Sequence, residues 1–566
     1  MKNRLIKGGL TLFLGLGAAF APAAFAQTEK GRLEDAEIVV EKDRVIELPE
    51  ANRNFQKIQI DPPASLDRSV NFTFPDFALP NQDIRLAMRV LTIKQEPLPH
   101  LTGNYVQAGV GNYLTGLLRA HLHNTRSKDY SYGADISHLS SSRGPVGLSG
   151  PGINYSGVSN SSIRLNGEAF LNQVTVGGRL SYGRDQHYFY GLNPSVLENT
   201  GLEKDTIRQV FNRVGGQVYF KNTEANAPLQ YNLGLGGHFM NNSFNARESN
   251  FQMSLTGGYA LDKFSQVKVS SDLSLLNYRD ERSQGRSFFR IRPTYERDMD
   301  LLKVSVGATI AYTSDTVNNA RQFNFYPALR ANFEPIENKL MIFAGLEGDL
   351  TRVTLNDLTR ENPFLGPNLR IADTNKGLDL YAGLTGNVTK EVQVTARVGY
   401  QSFRNLYFFN PSQRDSSRFE VVYDEGTTGV INFHGELLFN ASEKIRLGVK
   451  GDYNSYNLTS LDRPYHRPAI QASAFSTVNI GEKIFINSEL YYISSTFGRI
   501  FRPQTSTFAL RRTDTIIDLN VKGDYRFSNS FSAFVMANNL FAQRYERYLN
   551  YPSQGLNVIG GITYSF

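Results

Sequence analysis

The chain has 566 residues, no Cys and no Trp, 48 Gly, 38 Phe and 29 Tyr, a mean hydropathy of −0.34 and a formal charge of +7. The length exceeds one ordinary domain, and the lack of Cys removes disulfides and thiolate metal sites. Three of the positive charges lie at Lys2, Arg4 and Lys7 with no acid before Gln27. The remaining bias, about +4, is too weak to argue for nucleic acid.

Residues 1–26 read as a secretory signal peptide: a basic start, an apolar body from Gly8 to Phe20, and Ala24, Phe25 and Ala26 before the cleavage point. The apolar body is too short for a membrane-anchoring helix, and no Cys follows it to carry a lipid. Residues 27–101 are polar, charged and broken by Pro49, Pro62, Pro63, Pro75, Pro80, Pro97 and Pro99. Such a segment reads as a short, mostly extended periplasmic arm with little apolar surface to bury. Within it, Glu37, Ile38, Val39, Val40 and Glu41 resemble the TonB box, a short strand that adds to a partner sheet. The plain alternative is a periplasmic strand without that role.

From residue 102 to 566 the chain reads as strands of period two. Val392, Val394, Ala396, Val398 and Tyr400 alternate with Gln393, Thr395, Arg397 and Gly399; Ile445, Leu447 and Val449 alternate with Arg446, Gly448, Lys450 and Asp452. Ile517, Leu519 and Val521 alternate in the same way with Asp518, Asn520, Lys522 and, further on, Asp524. The runs last about ten to sixteen residues against the five or six usual in soluble sheets, which suits tilted strands crossing a bilayer. Short turns fall at 125–128, 171–172, 261–263, 297–300, 335–338, 389–391, 441–443, 481–482 and 527–529, with longer connections between them, such as 183–206, 351–375 and 403–416. Short turns on the periplasmic side and long loops outside are the habit of outer-membrane barrels. The count gives an all-β, transmembrane antiparallel β-barrel of about 20–22 strands; residues 103–119 leave open one bulged strand or two with a tight turn at Gly111 and Asn112. Alternation directs Arg397, Arg446, Lys450, Asp452, Asp518, Lys522 and Asp524 toward the lumen.

The last strand places Val558, Ile562, Tyr564 and Phe566 on one face. Its aromatic end resembles the signal read by barrel-assembly machinery during insertion. The closing series NNLF, RY, YP, G and GITYSF from residue 538 onward resembles the closing hairpin of TonB-dependent receptors. Stretches 111–115, 130–140, 418–423 and 434–437 are similar to receptor barrels of that kind that carry no plug. The resemblance implies an outer-membrane location, a lipid surround and, in a complete receptor, TonB as partner. Residues 27–101 are too few for a receptor plug and show none of its motifs, so the likeness covers the barrel alone.

Chemistry is sparse. His121 and His123 share a strand face and could begin a metal site, or simply belong to a polar lumen. The Gly-rich run 141–152 lacks the Lys-Ser/Thr and helix of a phosphate loop and reads as an external loop. No spacing selects a catalytic triad, so no enzyme and no cofactor is expected. Phe189, Tyr190, Phe364, Tyr407, Phe408, Phe409 and Tyr465 could stack on a ligand, but for Tyr407 to Phe409 the interfacial aromatic girdle is the preferred reading. A ring this wide cannot be filled by its own side chains; the arm, a plug-like or lipoprotein partner, or water must occupy it. Two functions follow: a solute channel, TonB-energised or passive, and a non-transporting scaffold in an outer-membrane assembly or secretion complex.

Overall fold

The computed structural model describes residues 103–124, 127–144, 156–191, 205–224, 227–502 and 505–566. The expected signal peptide, the arm and the TonB-box-like residues 37–41 lie outside them. Twenty-two antiparallel strands form one sheet. Each pairs with its neighbours in the chain, and the first, Tyr105–Gly111, also pairs with the last, Asn557–Ser565, so the sheet closes on itself. The strands run from 7 residues at Tyr105–Gly111 to 17 at Ser283–Met299.

Side-chain alternation decides which face is which. Leu380, Tyr400 and Ile431 are register partners across three strands and all are exposed, as are Leu437 and Val449 nearby. The opposite parity carries polar groups that reach far round the ring. Arg290 on Ser283–Met299 bonds to Asp349 on Leu340–Thr351, three strands away. Such bonds pass only through the interior of a closed ring, so the polar face is the inner one and the apolar face the outer one. Exposed rings gather at both ends of the outer face. Tyr130, Tyr259, Phe264, Tyr525, Phe531, Tyr564 and Phe566 lie toward one rim, and Phe239, Phe251, Phe289, Phe323 and Tyr492 toward the other. These are the two interfacial girdles.

The described turns at one rim fall within one to three residues of the expected positions. At 481–483 the backbone of Gly481 and Glu482 is left-handed (φ 59° and 60°), the geometry a tight hairpin requires of both central residues. A further connection at this rim, 223–228, joins Arg208–Asn222 to Leu229–Asn242 and is not among the turns expected from the sequence. The expected alternation of short and long connections is corrected at the opposite rim, where 243–246 and 280–282 have only four and three residues. Residues 103–119 are two strands joined by a tight turn at Asn112–Leu114. Tyr113 and Leu114 adopt positive φ there, and the turn is pinned because Asn112 Nδ2 donates to the Leu556 carbonyl at 2.7 Å and its Oδ1 accepts from the Val558 N–H at 2.9 Å.

The long connections at this second rim have structure of their own. Three contain small hairpins: Tyr407–Pro411 with Phe419–Tyr423, Phe497–Arg502 with Thr507–Arg512, and Glu546–Tyr548 with Tyr551–Pro552. A fourth, 352–373, contains the helix Leu355–Glu361. The largest buried apolar cluster is here rather than in a sheet interface. It joins Phe211, Met240, Leu276 and Tyr278 of the wall to Leu355, Leu358, Leu365 and Ile371 of the helical loop and to Phe409, Phe419, Tyr548 and Tyr551 of two hairpin loops.

Candidate functional site

The helical loop leaves the wall between the strands Leu340–Thr351 and Thr374–Asn387, yet packs against the strands from Arg208–Asn222 to Ser265–Arg279. It reaches them by folding inward over the mouth to strands four to seven places round the ring from Leu340–Thr351. Its helix begins at Thr354, whose Oγ1 accepts from the Asp357 N–H at 3.1 Å and so satisfies one of the free donors of the first turn. The next donors are taken by the strand Arg247–Ala260, five strands round the ring from Leu340–Thr351. The fully buried Glu248 carboxylate accepts from the Leu355 N–H at 2.6 Å and the Asn356 N–H at 3.2 Å, and from His238 Nε2 at 2.8 Å. A carboxylate at a helix N-terminus is held by the free N–H groups and the helix dipole together. Arg213 holds the flank: Nε donates to Asn356 Oδ1 at 2.9 Å, Nη2 donates to Thr359 Oγ1 at 3.1 Å, and Nη1 pairs with Asp185.

The two ends of the loop meet in a buried charge cluster. Arg286 Nη1 donates to the Val353 carbonyl at 2.7 Å and Nη2 pairs with Asp373. Asp373 also accepts from Thr313 Oγ1 at 2.7 Å and the Val353 N–H at 3.1 Å, and its own N–H donates to Asp315 Oδ2 at 2.7 Å. Arg286, Asp315 and Asp373 are all buried, which sets one cation against two carboxylates. Burial pushes the Asp373 carboxyl above its ordinary range even though Arg286 pulls the other way.

Farther out, Phe364 of the loop stacks on Tyr551 with ring centroids 3.6 Å apart, and backbone bonds tie Phe364 and Gly366 to Phe419 at 2.8 Å. Tyr548 Oη donates to the Glu361 carbonyl at 2.8 Å and Tyr407 Oη to the Glu361 carboxylate at 2.6 Å. His466 joins three loops: Nδ1–H donates to the Phe409 carbonyl at 2.9 Å, and Nε2 accepts from the Leu549 N–H at 3.3 Å. Burial pulls its pKa down to about 4. Asp424 fastens the loop of His466 to the neighbouring hairpin loop, accepting from the N–H groups of Thr459, Ser460 and Leu461 at 2.8, 2.6 and 3.1 Å. Burial raises its pKa, but these donors outweigh it and the net shift is downward.

These contacts correct the girdle reading of Tyr407 to Phe409. Phe408, Phe409 and Tyr465 are buried among the loops, as is Phe189, and Tyr407 and Phe364 pack against the same apolar cluster. Rings close to strand ends look alike in sequence whether they meet lipid or one another; only burial separates the cases.

The residues expected in the lumen are spread along the wall and do not converge. Arg397 Nη2 donates to Asp379 Oδ1 at 3.2 Å and the guanidinium lies over the Tyr381 ring at 4.4 Å. Asp452 faces His434 at 2.9 Å, Lys522 faces Asp524 at 2.8 Å, and Asp518 accepts from Tyr545 Oη at 2.7 Å. Arg446 lies over Phe475 at 5.8 Å, and Lys450 is the register partner of Glu436. Each stands at a position alternating with an exposed apolar residue such as Val398, Val449 or Ile517. Val558, Ile562, Tyr564 and Phe566 are all exposed on one face. His121 bonds to Asp135 at 2.6 Å, but no three His, Cys, Asp or Glu side chains among the described residues are grouped to hold a metal ion. Most of the Gly-rich run lies outside the described residues. Glu248, Arg286, Asp315, Asp373 and Arg213, which fix the loop, carried no sequence signal, because the bonds that join the loop to the rest of the chain span 58 to 146 residues.

No family model matches the sequence, and no curated protein sequence matches it. The fold is shared with solved structures. The FrpB iron transporter from Neisseria meningitidis superposes with a TM-score of 0.63 at 8% identity, covering 83% of this chain and 82% of that one. The siderophore receptor PirA from Acinetobacter baumannii gives 0.63 at 10% identity over 82% and 80%. The ferric enterobactin receptor PfeA from Pseudomonas aeruginosa gives 0.60 at 11% identity over 82% and 80%. The chain therefore has the 22-strand barrel fold of these receptors, as the closing hairpin led one to expect.

Proposed function

We propose that this protein is an outer-membrane channel that moves or binds a solute and whose external mouth is closed by its own loops. The observation that carries this reading is the inward-folded loop 352–373, clamped by Glu248 and Arg213 to strands five and seven places round the ring and at its base by Arg286. The rim of short turns is then periplasmic, and the buried loop core is external. The likeness to an iron transporter and to siderophore receptors supports transport over a barrel-borne enzyme. Arg397, Arg446, Lys450, Asp452, Asp518, Lys522 and Asp524 line the aqueous path. Cysteine placed at Lys450 and at Val449 tests this with a membrane-impermeant thiol reagent: labelling at position 450 is expected, and labelling confined to 449 overturns the assignment.

A scaffold reading retains one specific support, the tightness of the closure, since Leu358, Phe408 and Phe419 have no exposed surface. Planar-bilayer conductance separates the two readings when the intact protein is compared with a variant in which 354–371 is replaced by a short Gly-Ser linker. The channel reading expects a silent or flickering intact protein and a large steady conductance after excision. Silence of the folded barrel in both favours the scaffold. A large steady conductance in the intact protein overturns closure by the loops.

A further inference from the structure

Beneath the inward loop lies a recess of about 420 Å³ against the wall formed by the strands from Val174–Tyr188 to Ser283–Met299. That size admits a small organic molecule. Its floor is bare because Gly215, Gly234 and Gly236 stand where side chains would project inward. Short polar side chains lean over that floor. A Cβ at Gly234 would meet Ser254 Oγ at 2.7 Å and Gln217 Nε2 at 3.1 Å, and one at Gly215 would meet Ser181 Oγ at 2.8 Å. The recess thus presents hydrogen-bonding groups on an open surface.

Its charges divide into two classes. Arg290 is matched, with Asp272 at 2.6 Å and Asp349 at 2.8 Å, and His238 is matched with Glu248. Arg179 and Arg352 line the same recess and make no hydrogen bond or close ion pair among the described residues, although the carboxylates of Asp357, Asp373, Glu248 and Asp272 act on Arg352 from farther off. Arg352 is half-buried and its Nε is wholly enclosed without an acceptor. An enclosed guanidinium donor with nothing to receive it is costly, and native structures rarely leave one without a purpose. Guanidinium forks suit oxyanions, which accept two parallel N–H bonds.

We infer that this recess binds a small multivalent oxyanion, a polycarboxylate or a phosphate, held between Arg179 on the wall and Arg352 on the loop. Arg352 immediately precedes Val353, the residue that Arg286 and Asp373 clamp. The anion therefore ties the base of the closing loop to the strand Val174–Tyr188. Binding is independent of whether the barrel conducts, so its failure and the failure of the channel reading are distinguishable.

Isothermal titration calorimetry on the detergent-solubilised full chain tests this, with citrate and inorganic phosphate as probes and maltose as a neutral control. Saturable heat with one or both anions is expected, weakened at least tenfold by Arg352→Gln and by Arg179→Gln, partly kept by Arg352→Lys, and reduced by added salt. Citrate alone would identify a carboxylate site, phosphate alone a phosphate site. Absence of heat from both anions, equal binding of maltose, or unchanged affinity in both glutamine variants would overturn the inference. Heat-modifiable gel mobility confirms that each variant retains its barrel. Arg179 is exposed to the recess, so its replacement leaves packing intact.

Discussion

Replacing Arg286 with alanine is expected to free the closing loop at a cost of about 3–5 kcal/mol, the range for breaking a buried ion pair on one side. The guanidinium is the only cation ion-paired to Asp315 and Asp373 among the described residues, and both carboxylates are buried. Without it, two enclosed carboxylates face each other and the Val353 carbonyl loses its donor. The cheapest relief is to let the loop swing into water. The strands keep their own ladders, so the barrel survives. The expected result is trypsin cleavage at the exposed Arg360 or Arg370 in Arg286→Ala and not in the parent protein, with an accompanying rise in conductance. Adding Asp315→Asn and Asp373→Asn should restore much of the protection, because it removes the uncompensated charges. Equal protease resistance in Arg286→Ala and the parent would refute the clamp.

Acidification should loosen the same closure. His466 is neutral in the closed state, donating from Nδ1 and accepting at Nε2, and its pKa there is about 4 against an ordinary 6.5. A folded-state pKa below the unfolded one means that the released loop takes up a proton first. Stability is therefore full above pH 6.5, falls as the pH drops from 6.5 toward 4, and levels off below. The span amounts to about 3 kcal/mol at 1.36 kcal/mol per unit. Asp424 works in the same direction at lower pH. Its depressed pKa adds stability that is present above the ordinary carboxylate range and lost as the pH falls through its folded value. Amide hydrogen exchange across 458–469 and 539–556 at pH 7.5 and pH 5, corrected for intrinsic rates, measures the effect. His466→Asn keeps a donor for Phe409 and cannot protonate, so its pH dependence should flatten. An unchanged slope in that variant would remove His466 from the account.

The barrel was legible in the sequence because its two-residue period is repeated at every strand and depends on nothing distant. Leu380, Tyr400 and Ile431 declare an outer face by alternation alone, and the signature from Asn538 to Phe566 announces the closing hairpin. Nine turns at one rim could be placed because they are made of local backbone chemistry, whereas 223–228, 243–246 and 280–282 were missed. The closure of the mouth was not legible, since it is made by pairs such as Arg213 with Thr359 and Glu248 with Leu355, whose ends are far apart in the chain. No periodicity connects them. The rings at Phe364, Tyr407 and Phe409 show the same limit from another side. Their identity marks them as important, but a ring cannot reveal in sequence whether its neighbour is lipid, ligand or another ring.

The seam between the first and last strands bears on how such a chain reaches its native state. Gln107 bonds to Thr563 across 456 residues, and the Phe566 N–H donates to the Asn104 carbonyl. The ring can close only after the whole polypeptide has been delivered, and the entropic penalty of joining ends so far apart delays that event. Until then Tyr105–Gly111 and the most recently arrived strand each offer an unpaired edge able to recruit another chain. Asn112, reaching from the first hairpin to Leu556 and Val558, acts as a clasp that fixes register at the last step of assembly. A one-residue slip there would turn Val558, Ile562 and Tyr564 inward and bring Asn557 and Thr563 to the outside.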